Sequence, residues 1–261
     1  MQVLMIGDVV GRPGRRACAM EIGPLVRKSG IDLVIANGEN AAGGNGITRE
    51  VADELFASGI DVLTMGNHVW DKKEILSFID EEIRILRPVN YPAGTPGVGH
   101  TVYRTRSNRK VGVANASGRV FMADLDCPFR AMDRVVQESR QYTPVLIVDF
   151  HAEATSEKIA LGWYLDGKAS AVLCTHTHVQ TSDERILPGG TAYISDVGMT
   201  GPRDSVIGVK AETVIERFLT QMPKSFQVAS GPYQFNGVLV TLDQTSGKAV
   251  KIERIQKLET E

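Results

Sequence analysis

The stretch Pro144–Glu153 reads PVLIVDFHAE. The unbroken apolar run Val145–Val148 is what a strand buried on both faces requires, and such strands belong to parallel sheets covered by helices. A strand is expected over Pro144–Phe150, and Asp149 and His151 are polar groups set where it would leave the sheet. Outward from it, the same sentence structure recurs. Strands are expected at Val3–Gly7, Asp32–Ala36, Asp61–Met65, Ile83–Pro88, Lys110–Ala114, Ala171–Thr175 and Thr191–Ser195. Helical stretches are expected at Arg15–Ser29, Arg49–Ser58, Lys72–Glu82, Phe129–Gln141, Ser156–Leu165 and Val209–Gln221. Thr48 is placed to cap the second helix, and Asp71 with Glu74 three residues on reads as a capping box for the third. Strand–helix alternation gives an α/β layered fold. The C-terminal YQFNGVLVTLDQTSGKAVKIERIQK reads instead as an antiparallel hairpin at a sheet edge, with its turn at Thr245–Lys248. The mixture fits one mixed sheet, or two packed sheets, flanked by helices in a single domain over residues 1–261.

With 261 residues, 43% hydrophobic and 23% charged, the chain can bury a sizeable core. A formal charge of −2 argues against a protein that coats nucleic acid, and lends no support to an RNA partner, while leaving room for a small anionic substrate. Cys18, Cys127 and Cys174 are odd in number and widely spaced, which fits a reducing cytoplasm rather than a disulfide scaffold. No apolar run approaches the ~20 residues of a membrane span. The apolar N-terminus MQVLMIGDVV lacks a basic leader and carries Asp8, so it reads as a buried first strand and not as a secretory signal.

The polar residues that follow the strands form a set. IGDVVG (6–11), ANGEN (36–40), MGNHVW (65–70), DFHAE (149–153) and CTHTHV (174–179) deliver Asp8, Glu39, Asn40, Asn67, His68, His151, His176 and His178 to one sheet edge. That edge is where open α/β sheets build sites. Singly, each has a commonplace explanation: Asp8 as a turn cap, His151 as a packed histidine. Together they are imidazole nitrogens and oxygen donors without a cysteine, which suits divalent transition metals and not a zinc–thiolate site. The set exceeds the needs of one ion. Two ions roughly 3.5–4 Å apart with a shared carboxylate would use it. If the segment is extended, His176 and His178 point to the same side with Cα atoms roughly 6.5–7 Å apart. If Asn67 ligates, its neighbour His68 is freed for another role.

These ordered motifs resemble the calcineurin-like metallophosphoesterase superfamily. IGDVVGRPGR, NGENAAGGNGIT, GNHVWDKKEI, RPVNYP, DFHAEATSEK and THTHVQTSDERILPGGTAYISDVGMTG resemble, more narrowly, bacterial YmdB-like phosphodiesterases through most of the chain. One departure is informative. The superfamily's first motif is Asp-x-His, whereas Val10 holds the histidine's place here, and Asn40 beside Glu39 can supply the missing donor.

The resemblance implies a four-layer α/β/β/α sandwich with mixed sheets and a dinuclear metal centre. It implies one metal held by Asp8, Glu39, Asn40 and His178, and the other by Glu39, Asn67, His151 and His176, with His68 as proton donor. It implies two divalent or mixed-valence transition metals, iron or manganese first and zinc permitted. The expected reaction is hydrolysis of cyclic nucleotides, 2′,3′- and also 3′,5′-cyclic, by water activated between the metals. A phosphomonoesterase, a nuclease or a non-catalytic regulator that binds metal or phospho-ligand would use the same residues. Homo-oligomerisation is left open.

Overall fold

The computed structural model describes residues 1–259. The expected domain of residues 1–261 therefore extends two residues beyond the described ones. In chain order the elements are β1 (Gln2–Ile6), β2 (Asp8–Val9), α1 (Gly11–Ser29), β3 (Leu33–Asn37), α2 (Arg49–Ala57), β4 (Val62–Thr64) and β5 (Ile85–Leu86). There follow β6 (His100–Arg104), β7 (Lys110–Ser117), α3 (Pro128–Arg140), β8 (Leu146–His151), α4 (Thr155–Tyr164), β9 (Ala171–Thr175) and β10 (Arg185–Ile186). The chain ends with β11 (Ala192–Ile194), β12 (Met199–Pro202), α5 (Ala211–Thr220), β13 (Tyr233–Leu242) and β14 (Ala249–Leu258).

Strand side chains alternate between faces, and here both faces are buried. From the first sheet, Leu4, Ile6, Val34 and Ala36 turn towards α1 and α2, where they meet Ala17, Ile22 and Leu55. Their alternates Val3, Met5, Leu33 and Ile35 meet Val111, Val113, Ile147 and Leu173 of the second sheet. That sheet's other face, with Ala114, Val148, Phe150 and Val172, packs on Met132 and Val135 of α3 and Leu161 of α4. Three cores between four layers make the α/β/β/α sandwich.

The first sheet runs β2-β12-β13-β1-β3-β4-β5, with β14 on β13, and the second runs β10-β11-β9-β8-β7-β6. β1, β3 and β4 are parallel, as are β7, β8, β9 and β11, and β1 pairs β13 antiparallel. Both sheets are mixed.

Three local readings are corrected. The C-terminal hairpin is not wholly an edge feature: β13 lies inside the sheet, paired with β1, β12 and β14, and only β14 is an edge. Phe235, Val238 and Val240 bury on both faces of β13, whereas β14 exposes Lys251, Glu253 and Arg254. The helix expected over Lys72–Glu82 is a short 3-10 turn, Lys73–Ser77, without a side-chain cap. Its capping pair is spent elsewhere, Asp71 on His68 and Asn45, and Glu74 on the backbone N–H of Arg49. Finally, the Gly- and Pro-rich stretch Asn90–His100 reads as a loop, but its last residue, His100, opens β6, and its ring contacts Glu138 at 3.0 Å.

Candidate metal centre

The parallel strands of both sheets end on the same side, so the donors gather between the sheets. Asp8 forms β2, which pairs with β12 through a close backbone approach. A Cβ on Gly7 would lie 1.8 Å from the Gly198 carbonyl oxygen, so only glycine lets the two strands meet. Glu39 and Asn40 follow β3, Asn67 and His68 follow β4, His151 ends β8, and His176 and His178 follow β9.

Four of these residues converge on one point. The Nε2 atom of His151 lies 3.0 Å from Glu39 Oε1, 3.0 Å from Asn67 Oδ1 and 2.9 Å from His176 Nδ1. Ligand atoms of Glu39, His151 and His176 all lie within 4.8 Å of one another. A single N–H serves one acceptor well; three acceptor atoms around one imidazole nitrogen is the arrangement a cation satisfies. The titration behaviour agrees. Burial opposes charge on His151, but the Glu39 carboxylate overrides it and lifts its pKa to about 9. Burial likewise raises Glu39, and the adjacent His151 outweighs it, leaving the carboxyl at about 2. The cluster therefore accommodates positive charge. Burial depresses His176 to about 3, so its ring is neutral at physiological pH. Its Nε2 lies 3.0 Å from Glu153, and donation there leaves the Nδ1 lone pair for the cluster.

The remaining oxygen donors stand beside this point. Asp8 Oδ1 and Asn40 Oδ1 are buried and accept no hydrogen bond among the described residues. Such orphaned atoms are costly unless a cation or water completes them. Burial raises Asp8 to about 6, offset in part by His178 and His151. His178 and Asn40 line one cavity of about 370 Å³ together with His68.

The extended geometry expected for His176 and His178 is not found. Both have positive φ, 105° and 67°. The strain is held by Asp196, which accepts from Thr177 N at 3.0 Å and from its hydroxyl at 2.7 Å. Asp8 accepts from His176 N, and the Ile207 carbonyl lies 2.9 Å from His178 Nδ1. The kinked backbone sends the two histidines apart, His176 to the His151 cluster and His178 to the cavity. His68 takes no place among the converging donors. Its backbone N–H donates to Glu39, and its ring Nδ1 lies 2.8 Å from Asp71.

Sequence reading missed the layer behind the donors. Asp149, two residues before His151 on β8, is fully buried, and burial raises its pKa. It accepts from Thr64, Thr175 and Asn37. Thr175 gives its only proton to Asp149, so at 2.9 Å from His151 Nδ1 it is an acceptor. Nδ1 of His151 is thus a donor, and in the neutral ring the Nε2 lone pair faces the cluster. Asp196, which had no role in the sequence, is paired with buried Lys158 at 2.8 Å and anchors the histidine loop. Asn90 ties Ser117 to Asp126. Among these, Asn37, Asp149 and Thr175 lie in the motifs already quoted, one or two residues before a donor.

Comparison with known proteins places the chain in a family and gives its fold. The sequence pattern of the family described as YmdB-like protein matches residues 4–255. A Bacillus subtilis protein named 2′,3′-cyclic-nucleotide 2′-phosphodiesterase is 52% identical over 255 residues, 98% of this chain and 96% of its own length. A crystal structure of a hypothetical protein from Thermus thermophilus superposes with a TM-score of 0.93 at 44% identity, covering 100% of both chains. That of a novel phosphatase from Mycoplasma pneumoniae gives 0.92 at 34% identity, covering 99% of this chain and 93% of the other.

Proposed function

The chain belongs to the YmdB-like family, and on that footing we propose that it is a metal-dependent phosphodiesterase acting on cyclic nucleotides, 2′,3′-cyclic ones foremost. The observation that carries the reading is the convergence of Glu39, Asn67 and His176 on His151 Nε2, beside the orphaned oxygens of Asp8 and Asn40. In this proposal Asp8, Glu39, Asn40 and His178 hold one ion, Glu39, Asn67, His151 and His176 hold the other, and iron or manganese fits the nitrogen–oxygen donor set. Ions of this kind supply Lewis acidity to phosphoryl oxygens and lower the pKa of water.

The protein's own groups do the rest. Only two carboxylates, Asp8 and Glu39, belong to the donor set, so the filled site keeps a positive excess of about two charges that attracts a phosphate diester. Asp71 engages Nδ1 of His68 and fixes the ring. Nε2 is then the nitrogen that hands a proton to the leaving alkoxide. The cavity lined by His68, His178 and Asn40 is about 370 Å³, near the lower end of the ~300–1,000 Å³ typical of small-molecule sites. That size favours a mononucleotide over a nucleic-acid strand. Among the described residues no helix is long and apolar enough to cross a membrane.

The test is hydrolysis of bis(p-nitrophenyl) phosphate, p-nitrophenyl phosphate and a panel of 2′,3′- and 3′,5′-cyclic nucleotides, with manganese added after chelation. Diester and cyclic-nucleotide turnover that chelator abolishes and manganese restores is expected. Activity on the monoester alone overturns the diesterase reading, and metal binding without turnover of any ester makes the protein a regulator.

A further inference from the structure

Of the metal-type donors, Asn40 and His178 line the cavity together with His68, and they occupy only part of it. The other part is apolar: Ile207, Phe226 and Val228 line it, with the amides of Asn45 and Gln227 among them. We infer that this wall is a nucleobase platform, with Phe226 as the stacking ring that gives the enzyme a preference for purine cyclic mononucleotides. The inference rests on the diesterase reading for its substrate, and supplies what that reading lacks, a source of base recognition.

Three observations converge. Phe226 comes from the segment between α5 and β13, remote in sequence from every metal-type donor, yet lines one cavity with His68, His178 and Asn40. The Arg217 guanidinium lies over its ring, 4.8 Å from the centroid. With one face covered by a cation, the ring is braced and its opposite face is the one left to stack. At 46% exposure Phe226 is not a core residue, and an aromatic ring left half-open beside a polar cluster is the form of a ligand contact.

Ile207 joins the wall to the metal centre. Its φ of 46° is a left-handed conformation that a β-branched residue rarely adopts. The same residue lays its carbonyl on His178 and lines the cavity. Polar reading groups are also present. Asn45 commits its Nδ2 to Asp71, and Gln227 its Oε1 to Lys210. Among the described residues, Asn45 Oδ1 and Gln227 Nε2 make no hydrogen bond, leaving one acceptor and one donor for a base edge.

Base–aromatic stacking sets the expected size of the effect, about tenfold in affinity. The measurement is the ratio of kcat/KM on 2′,3′-cyclic AMP to kcat/KM on methyl p-nitrophenyl phosphate, a diester without a base. Phe226→Ala should lower the ratio about tenfold and bring cyclic AMP and cyclic UMP closer together. Phe226→Trp should hold it, and so should Phe218→Ala, whose ring is 74% exposed on α5 outside the cavity. Calorimetric binding of adenosine 3′-monophosphate, the product of cleaving the 2′ ester, gives a readout independent of turnover. Its Kd should rise about tenfold in Phe226→Ala and not in Phe226→Trp. An unchanged ratio with unchanged product affinity in Phe226→Ala overturns the platform. Wild-type protein that cleaves the base-free diester and no cyclic nucleotide overturns the function proposed above. The calorimetric comparison still decides the platform in that case.

Discussion

Gly66 offers the sharpest test of whether the donors are held where the structure puts them. A Cβ added there would sit 2.3 Å from Glu39 Oε2, 2.3 Å from His151 Cδ2 and 2.4 Å from His151 Nε2. Neither neighbour can retreat into solvent, since His151 and Glu39 are 0% and 1% exposed. Gly66 has no positive φ, so Gly66→Ala carries no backbone strain and its whole cost is the methyl group's collision with the cluster. Overpacking costs about 1–3 kcal/mol, offset by about 0.4–1 kcal/mol from the stiffer unfolded chain. A net loss of about 1–2 kcal/mol lowers the Tm of chelated protein by roughly 2–8 °C, at about 2–4 °C per kcal/mol for a chain of this size. Displacing reacting groups by about 1 Å costs on the order of 100-fold in rate. Gly30→Ala is the control: its Cβ meets nothing within 4 Å, but its φ of +60° costs about 1–2 kcal/mol at the end of α1. The two variants should melt similarly. Only Gly66→Ala should lose bound metal by mass spectrometry and activity on bis(p-nitrophenyl) phosphate. If Gly66→Ala keeps full metal content and rate, Glu39 and His151 do not sit against residue 66, and the centre is misplaced.

Other perturbations separate the roles within the site. His68→Ala should lose most turnover while retaining metal, and Glu39→Ala should lose both; loss of all metal from purified His68→Ala would make His68 a ligand and end its role as acid. Thr175→Val removes the acceptor for His151 Nδ1 and should weaken metal binding about 10–100-fold in a chelator competition, whereas unchanged affinity would show that the Asp149 network does not orient the ring. Metal stabilisation should grow with pH. His151, raised to about 9, stabilises the chelated fold fully below about pH 6.5 and loses that contribution as pH passes about 9, while Asp8, raised to about 6, weakens the chelated fold as pH rises through that value. Glu39, lowered to about 2, stabilises above its unfolded pKa and loses this only in strong acid. Manganese must displace the protons on Asp8 and His151, so the Tm gain it gives should be small at about pH 5 and larger at about pH 8; a gain that shrinks over that interval would contradict the assigned protonation states.

The strands and the donors were legible for one physical reason. A strand buried on both faces is mostly apolar, so the polar residues that come after the apolar runs ending on Ile6, Ala36, Met65 and Phe150 mark the strand ends. Elements without that contrast were not legible. β2 and β12 are too short to show a period, and β12 carries Gly201 and Pro202. The 3-10 turn at Lys73–Ser77 looked helical because Asp71 and Glu74 have cap spacing, and only the folded chain shows that each binds another segment. Asp149 lies within the DFHAE motif but carries no legible role there, since a carboxylate two residues before a strand's end resembles a turn signal until Thr64 and Asn37 arrive from the other sheet.

The division of the donors between sheets explains why the site depends on the whole sandwich. Asp8, Glu39, Asn40 and Asn67 come from the first sheet and His151, His176 and His178 from the second. Neither sheet alone carries both the carboxylates and the imidazoles. Their separation is set by the middle core, where Val3, Met5, Leu33 and Ile35 face Val111, Val113, Ile147 and Leu173. The Asp149 network lies at the end of that core and crosses it, because Asn37 and Thr64 reach Asp149 from the opposite sheet. A buried carboxylate is a poor choice for stability alone, since an apolar residue of similar size is often as stable. Its placement is intelligible as register: Asp149 is satisfied only when both sheets stand at the spacing and offset that bring His151 to Glu39.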